Sequence, residues 1–344
     1  MRDLPRIPVS DAVAPLDPLS DLLGLLRARC LVTASLEAGG DWALRFPAYE
    51  PGTLKFSAVV HGRCWLRAEP LPGAPAPLPV ELHTDDCVLL NGPPGYTLAS
   101  DLALPPVDAG PVFAMATNRH ARYGIDDSSH GGGAIDPTRL IGGAVRFDEA
   151  GAGLLLGSLP PVIVVQGQSD AAVVVGWLLQ QLAVEMQRPQ VGASHVTAHL
   201  SHLLFVQVLR AHLASVAHDD GGAEARGGWL GAVAHPRIGI ALALMHAQPA
   251  RHWTLDELAA AAHMSRSTFS EQFKALVGRA PMDYLLHWRM QRALRALRDD
   301  RGGLAAIAFD AGYESESAFS HAFKRVMGQS PAHYRRALRD ATAA

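Results

Sequence analysis

Residues 265–284 read SRSTFSEQFKALVGRAPMDY, and residues 315–334 read SESAFSHAFKRVMGQSPAHY. Ser, Phe, Phe-Lys, Gly, Pro and Tyr recur at matching offsets, each displaced by 50 positions. Ser265 and Ser315 are residues that cap a helix by accepting from a backbone N–H of its first turn. Phe269, Phe273 and Leu276, or Phe319, Phe323 and Val326, then follow at i, i+4 and i+7, the spacing of a half-buried helix. Gly278 and Gly328 stand where such a helix ends in a left-handed residue, and Pro281 and Pro331 where the next begins.

A shorter apolar helix precedes each copy, through Leu255, Leu258, Ala259 and Ala262 or through Ile307, Ala308 and Ala311. The turns between are His263-Met264 and Gly312-Tyr313-Glu314. Two helices joined by so short a turn predict a helix-turn-helix, whose second helix enters the DNA major groove. Two units in one chain predict a reader of double-stranded promoter DNA.

With the phenylalanines inward, Arg266, Ser267, Ser270 and Glu271 face outward on the first recognition helix, as do Glu316, Ser317, Ser320 and His321 on the second. These are the expected base-reading positions, since Ser pairs with several base edges and Glu accepts from cytosine N4. Lys274, Arg289, Lys324 and Arg335, with the other exposed arginines on these helices, are assigned to phosphates. Thr254-x-x-Glu257 opens the first unit as a capping box; the second unit has no equivalent. A helix from Pro281 to about Leu297 spans roughly 25 Å, comparable to the ~34 Å between successive major-groove faces.

The chain has 344 residues, 49% of them hydrophobic and 18% charged, enough to bury two cores. The net charge of −3 hides an asymmetry: residues 235–344 carry 15 Lys/Arg against 10 Asp/Glu, and residues 1–234 carry 15 against 23. The basic excess lies with the repeats, as counterion release from phosphate requires. Cys30, Cys64 and Cys87 form no Cys-x-x-Cys pair, which argues against a disulfide framework or thiolate zinc site. The start lacks a signal segment, so a cytoplasmic chain without a membrane partner is expected.

Upstream, Asp21–Arg29 reads as a short helix. The region from there to about Val165 reads as β structure, with strands at Cys30–Leu36, Trp42–Phe46, Leu54–His61, Arg63–Arg67, Val80–His83 and Cys87–Leu90. Residues 105–138, including Gly131-Gly132-Gly133, read as a loop, and apolar segments return at Leu140–Phe147, Gly153–Leu156 and Val162–Val165. Val174, Leu178, Leu182 and Met186, then Leu200, Leu204, Val208 and Ala211, predict two long apolar helices. The expected fold class is α+β: a cupin-like β-barrel over 1–165, a helical dimerisation segment over 166–217, a linker over 218–234 and an all-α double helix-turn-helix domain over 235–344.

The segment Trp253–Arg336 resembles the DNA-binding domain of AraC/XylS-family bacterial transcription regulators, down to the extra residue in the second turn and the Ser330-Pro331-x2-Tyr334-Arg335 ending. Glu271 and His321 depart from it where many members carry Arg. The amino-terminal part resembles the cupin-like ligand domain of one branch, through Leu54-x-Phe56-x4-His61-Gly62, Asp85-Asp86 leading into Cys87–Leu90, and Gly92-Pro93-Pro94-Gly95. Metal-binding cupins place a His-x-His pair and a later His where this chain has Arg63–Arg67 and Leu98, so the resemblance implies a barrel without its metal and no cofactor. It further implies a homodimer, contact with RNA polymerase and a small-molecule effector of unknown identity.

Three features invite other readings. His195, His199 and His202 share one helical face with metal-ligand spacing, but no carboxylate or Cys flanks them. Cys64 and Cys87 fit a redox pair or, at period-2 placement, buried small hydrophobes. Trp42, Phe56, Trp65 and Tyr96 line a ligand cavity or fill the core. A degenerate cupin enzyme fused to a DNA reader, and an effector-independent architectural DNA binder, remain as alternatives to a regulator; no phosphate loop, HExxH helix or GxSxG elbow supports catalysis.

Overall fold

The computed structural model describes residues 17–26, 28–71, 73, 75–92, 95–125, 136–147, 152–167, 172–218, 228–300 and 302–343. Gly131-Gly132-Gly133, Pro93-Pro94 and most of the expected linker lie outside these residues. The chain divides into two compact units, Leu26–Ala234 and a second made of the chain start to Leu25 together with His235–Ala344.

The helix predicted at Asp21–Arg29 forms as α1 (Pro18–Leu26), opened by Asp17, whose carboxylate accepts from Ser20 N at 2.8 Å. Up to Leu25 it belongs with the carboxy-terminal unit rather than with the β-rich part expected from sequence order. The cause is chemical: Asp21 Oδ2 lies 3.4 Å from Nδ1 of the fully buried His246.

The β-rich unit contains β1 (Arg29–Ala38), β2 (Ala43–Phe46), β3 (Thr53–His61), β4 (Arg63–Ala68), β5 (Val80–His83), β6 (Cys87–Asn91), β7 (Tyr96–Ala99), β8 (Val107–Asp108), α2 (Ala109–Ala114), β9 (His120–Tyr123), β10 (Thr138–Arg146), α3 (Ala152–Leu156) and β11 (Val162–Val165). A six-stranded sheet runs β11-β6-β3-β10-β1-β9 and a five-stranded sheet β5-β4-β7-β2-β8. The cupin-like core lies between them, built from the inward residues of both: Leu36, Leu44, Val59, Leu66, Leu90 and Leu98. Two expectations fail here. The predicted loop over 105–138 contains β8, α2 and β9, and Gly153–Leu156 is helical. These four elements are too short for periodicity to reveal; α2 is set by its Asp108 cap, which accepts from Gly110 N.

Then follow α4 (Ala172–Gln187), α5 (Ala193–His218) and α6 (Trp229–Ala234), the last occupying the end of the predicted linker because Trp229 and Leu230 are buried. In the second unit are α7 (Ile238–Ala247), α8 (Leu255–Ala261), α9 (Arg266–Val277), α10 (Pro281–Arg298), α11 (Leu304–Asp310), α12 (Glu316–Met327) and α13 (Pro331–Ala343). No helix among the described residues is long and apolar enough to cross a membrane.

The pairs α8–α9 and α11–α12 turn alike. Met264 N donates to Ala259 O and Tyr313 N to Ala308 O, both at 2.9 Å. The left-handed residue is His263 (φ 53°) in one turn and Gly312 (φ 79°) in the other, with Glu314 as the extra residue. The substitution is not free, since a Cβ on Gly312 would lie 2.5 Å from Ala250 O, whereas one on Gly278 meets nothing within 4 Å. Gly278→Ala is expected to cost about 1–2 kcal/mol through left-handed backbone alone, and Gly312→Ala more than that. Urea unfolding of both variants measures the difference; equal losses would discount the Ala250 contact.

Candidate nucleic-acid interface

Each recognition helix is capped and anchored as its sequence requires. Ser265 accepts from Thr268 N at 3.3 Å, and Ser315 from Ala318 N at 3.2 Å. Gly278 and Gly328 close the helices at φ 78°. Phe269, Phe273, Phe319 and Phe323 are all 0% exposed. In the first unit, ring centroids run from Phe269 to Phe273 (5.6 Å) and on to Tyr284 of α10 (5.7 Å). In the second they run from Phe319 to Phe323 (5.6 Å) and on to Tyr334 of α13 (6.4 Å). The capping box of α8 is present, with Thr254 N donating to Glu257 Oε2 and Glu257 N to Thr254 Oγ1; α11 starts at Gly303 with no side-chain cap.

With one face of each helix held by phenylalanine, the other is presented to solvent. Arg266, Ser267 and Glu271 are exposed and Ser270 half-buried; Glu316, Ser317 and His321 are exposed and Ser320 half-buried. All eight lie in the first half of their helices. Thr268, Gln272 and Arg325 are further exposed polar positions on the same helices, which a helical wheel drawn from the buried phenylalanines would have included. Arg266 Nη1 sits 3.5 Å from Asp256 Oδ2. A pair so exposed contributes little, about 0–1 kcal/mol, so the guanidinium can turn to a base or phosphate at small cost.

The four expected phosphate cations divide. Lys274 and Lys324 are exposed, and their ammonium groups pair with no described residue. Arg289 is turned inward: its Nε donates to Pro249 O at 2.6 Å and Nη2 to Arg251 O at 2.7 Å, while burial lowers its pKa. It braces α10 to the segment before α8, which corrects its assignment to phosphate. Arg335 is also committed, Nη2 donating to Gly302 O at 3.0 Å and Nε lying 3.7 Å from Asp300 Oδ1. Arg336, exposed beside it, borders a groove with Pro331 and Leu304 and is the freer cation.

In the β-rich unit a cavity of about 460 Å³ is walled by Leu36, Phe46, Tyr96, Leu98, Phe113 and Leu140, with Lys55 and Arg119 as its cations. Of the predicted pocket residues only Tyr96 lines it, stacked on Phe46 with centroids 4.7 Å apart. Trp42 belongs to the core, Trp65 is half-buried away from the cavity, and Phe56 is pressed so closely on Gly143 that a Cβ there would come within 2.2 Å of its ring. Phe56 and Trp65 alternate with residues that face the space between the sheets, Lys55 and Ser57 on β3 and Cys64 and Leu66 on β4, so for these two the expected pocket role fell on the opposite face of the strand.

The residues present do not fit a cupin metal. Leu98 is 2% exposed and apolar, and no group of three metal-ligating side chains gathers among the described residues. His199 Nδ1 is engaged with His195 O, and His202 faces Cys30 at 3.9 Å. All three cysteines are buried, and burial pushes each thiol up to about 12, which leaves it protonated and unreactive at neutral pH.

Two capped, aromatic-anchored helix-turn-helix units joined by one helix, with polar recognition faces, define a DNA-binding protein. A cupin family model matches residues 17–214, and a helix-turn-helix domain model matches residues 258–337. AraC-like transcription regulators of Streptomyces lividans and Streptomyces antibioticus are each 41% identical over 301 residues, covering 88% of this chain and 92% of theirs. The regulator AlkR of Acinetobacter baylyi is 38% identical over 185 residues, 53% of this chain and 58% of that one. Among solved structures, the DNA-binding domain of AdpA in complex with a target DNA is 32% identical, covering 31% of this chain and 96% of that one, with a TM-score of 0.30. The chain belongs to the AraC-like transcription regulators, with a cupin domain followed by a double helix-turn-helix.

For this interface, Ser267→Ala or Ser320→Ala is expected to change base preference, whereas Lys324→Ala weakens binding to all sequences and lowers the salt slope by about 1. Arg289→Ala should leave the salt slope unchanged and lower the melting temperature instead. Binding titrations across salt concentrations, beside thermal melts, separate the three classes; a slope change at Arg289 would restore it to the phosphate set.

Proposed function

We propose that the chain is an effector-responsive, sequence-specific regulator that acts as a homodimer in the cytoplasm, each protomer placing α9 and α12 in adjacent major grooves of a promoter. The observation that carries this is the matched anchoring of the two recognition helices, α9 on Tyr284 of α10 and α12 on Tyr334 of α13, with α10, an 18-residue helix about 27 Å long, joining the two units. Such a rod suits two grooves on one side of B-DNA, separated by ~34 Å. Base reading falls to Arg266, Ser267, Ser270, Glu271, Glu316, Ser317, Ser320 and His321, and phosphate contact to Lys274, Lys324 and Arg336. Occupancy at the promoter then alters contact with RNA polymerase.

The dimer reading rests on α4 and α5. Val173, Trp177 and Val184 are 76%, 55% and 58% exposed along one side of α4, and Leu203 of α5 is 49% exposed. Clustered apolar exposure of this kind marks an interaction surface, and a second copy supplies the same surface in return. Trp177→Glu is expected to shift the protein from dimer to monomer in sedimentation at micromolar concentration. A dimer that survives the substitution places the interface elsewhere.

The effector reading rests on the cavity beside Lys55 and Arg119. Burial lowers the pKa of Lys55, so a negative group near it would recover part of the cost of keeping that ammonium charged. An apolar molecule with one anionic group suits the walls. 4-Phenylbutyrate at 100 times its Kd would stabilise the protein by about 2.7 kcal/mol, and 4-phenylbutanol much less, the gap closing in Lys55→Met. Equal thermal shifts with acid and alcohol in the parent protein would remove the anionic requirement.

A further inference from the structure

A second cavity, of about 310 Å³, lies wholly within the DNA-binding unit. Its floor is one stripe of α10, where Trp288, Arg292 and Arg295 follow at helical spacing up to Asp299 at the helix C-cap, and its walls include Ile307 of α11 and Asp21 and Leu25 of α1. None of its lining comes from the recognition helices α9 and α12.

The polar groups around it are unevenly satisfied. Trp288 is 2% exposed, its ring stacked on His246 with centroids 3.7 Å apart, and its indole Nε1–H is buried without a hydrogen-bond partner. Arg295 Nε is buried in the same condition; it lies 3.7 Å from Asp299 Oδ2, an ion pair too long to be a hydrogen bond. The exposed Arg292 guanidinium forms no ion pair with a described residue. Of the carboxylates, Asp21 Oδ2 has no hydrogen bond but is balanced by His246 at 3.4 Å, Asp299 is paired with Arg295, and Asp310 is exposed. The unmet demand is mainly for acceptors: two buried N–H donors and an open guanidinium fork line one small cavity. Buried donors are rarely left unmet in native proteins, and an unmet one calls for a missing partner. An oxyanion supplies several acceptor lone pairs in the geometry a guanidinium takes.

We propose that this cavity binds a small molecule carrying a carboxylate or phosphate group, held by Arg292 and by the N–H groups of Trp288 and Arg295. The site is separate from the cavity between the sheets and does not depend on what fills that one. Because its floor is the helix joining the two helix-turn-helix units, its occupant bears on the part that sets their spacing.

The full-length protein labelled with 5-fluorotryptophan provides the test, the Trp288 resonance being assigned by Trp288→Phe. Inorganic phosphate and succinate are titrated separately at ionic strength held constant with sodium chloride. A saturable shift of the Trp288 resonance is expected with at least one probe, weakened tenfold or more in Arg292→Gln, whose exposed side chain leaves folding intact. The probe that acts identifies which oxyanion the site accepts. No saturable shift with either probe, or a shift undiminished in Arg292→Gln, would overturn the proposal and leave these donors to water. A shift produced only by duplex DNA would overturn it as well, by making Arg292 a contact to the DNA backbone.

Discussion

The packing of two phenylalanines per recognition helix against a tyrosine of the following helix is the constraint on which the DNA-binding unit depends. It does two things at once. Burying each Phe contributes about 1.5–3 kcal/mol, so the four rings hold α9 and α12 against the rest of the unit. The same rings fix helix rotation, and rotation decides which side chains reach solvent. The tyrosines are tied in turn: Tyr284 Oη and His246 Nε2 share a hydrogen bond of 2.7 Å, and Arg298 Nε donates to Tyr334 Oη. Recognition geometry is thus set from behind, by the core, before any base is met.

The arginines follow from the same economy of backbone groups. Segments between short helices leave carbonyls that no helix ladder can satisfy. Arg289 answers two of them at Pro249 and Arg251, and Arg335 answers Gly302. A guanidinium offers several donors in a fixed fork, which suits a turn where two carbonyls converge better than an ammonium would. Cations that serve the fold in this way are poorly placed to release counterions from DNA, whereas Lys274, Lys324 and Arg336 stay exposed.

Periodicity and capping made much of this legible. The doubled Ser-Phe-Phe-Gly-Pro-Tyr pattern identified both recognition helices, their caps and their outward residues, because each of those features is decided within a dozen positions. The predicted strands of the cupin domain were legible for the same reason. What escaped was decided at long range. Arg289 and Lys274 look alike in sequence, and only the position of the loop at Pro249 separates them. The allegiance of α1 depends on a buried histidine more than 200 positions away. Phe56 alternates on β3 with Lys55 and Ser57, which line the cavity, so it faces away from the space between the sheets, whereas Tyr96 meets the cavity; which face of a strand turns to the other sheet is decided by tertiary packing. Elements such as β8 and α2, of 2 and 6 residues, are shorter than any period that might announce them.

The two helix-turn-helix units are unequal in ways that bear on how each meets DNA. The first has a capping box on α8, worth on the order of 1 kcal/mol, and α10 braced by Arg289 to the loop just ahead of it. The second begins α11 at an uncapped glycine and has an additional residue in its turn. Its left-handed position is a glycine against which any Cβ would meet Ala250 O, while the first unit has a histidine at the left-handed position. Phe309 of α11 is 75% exposed, so part of the second unit's apolar surface stays outside the core that steadies the first. The local terms that hold a helix in place are therefore stronger in the first unit. A rigid unit loses less entropy when it docks, whereas a looser one adapts to the groove it finds. The outward residues differ in the same sense: Arg266 stands exposed on the better-capped unit, and Ser317, Ser320 and His321, short or compact groups, stand on the other.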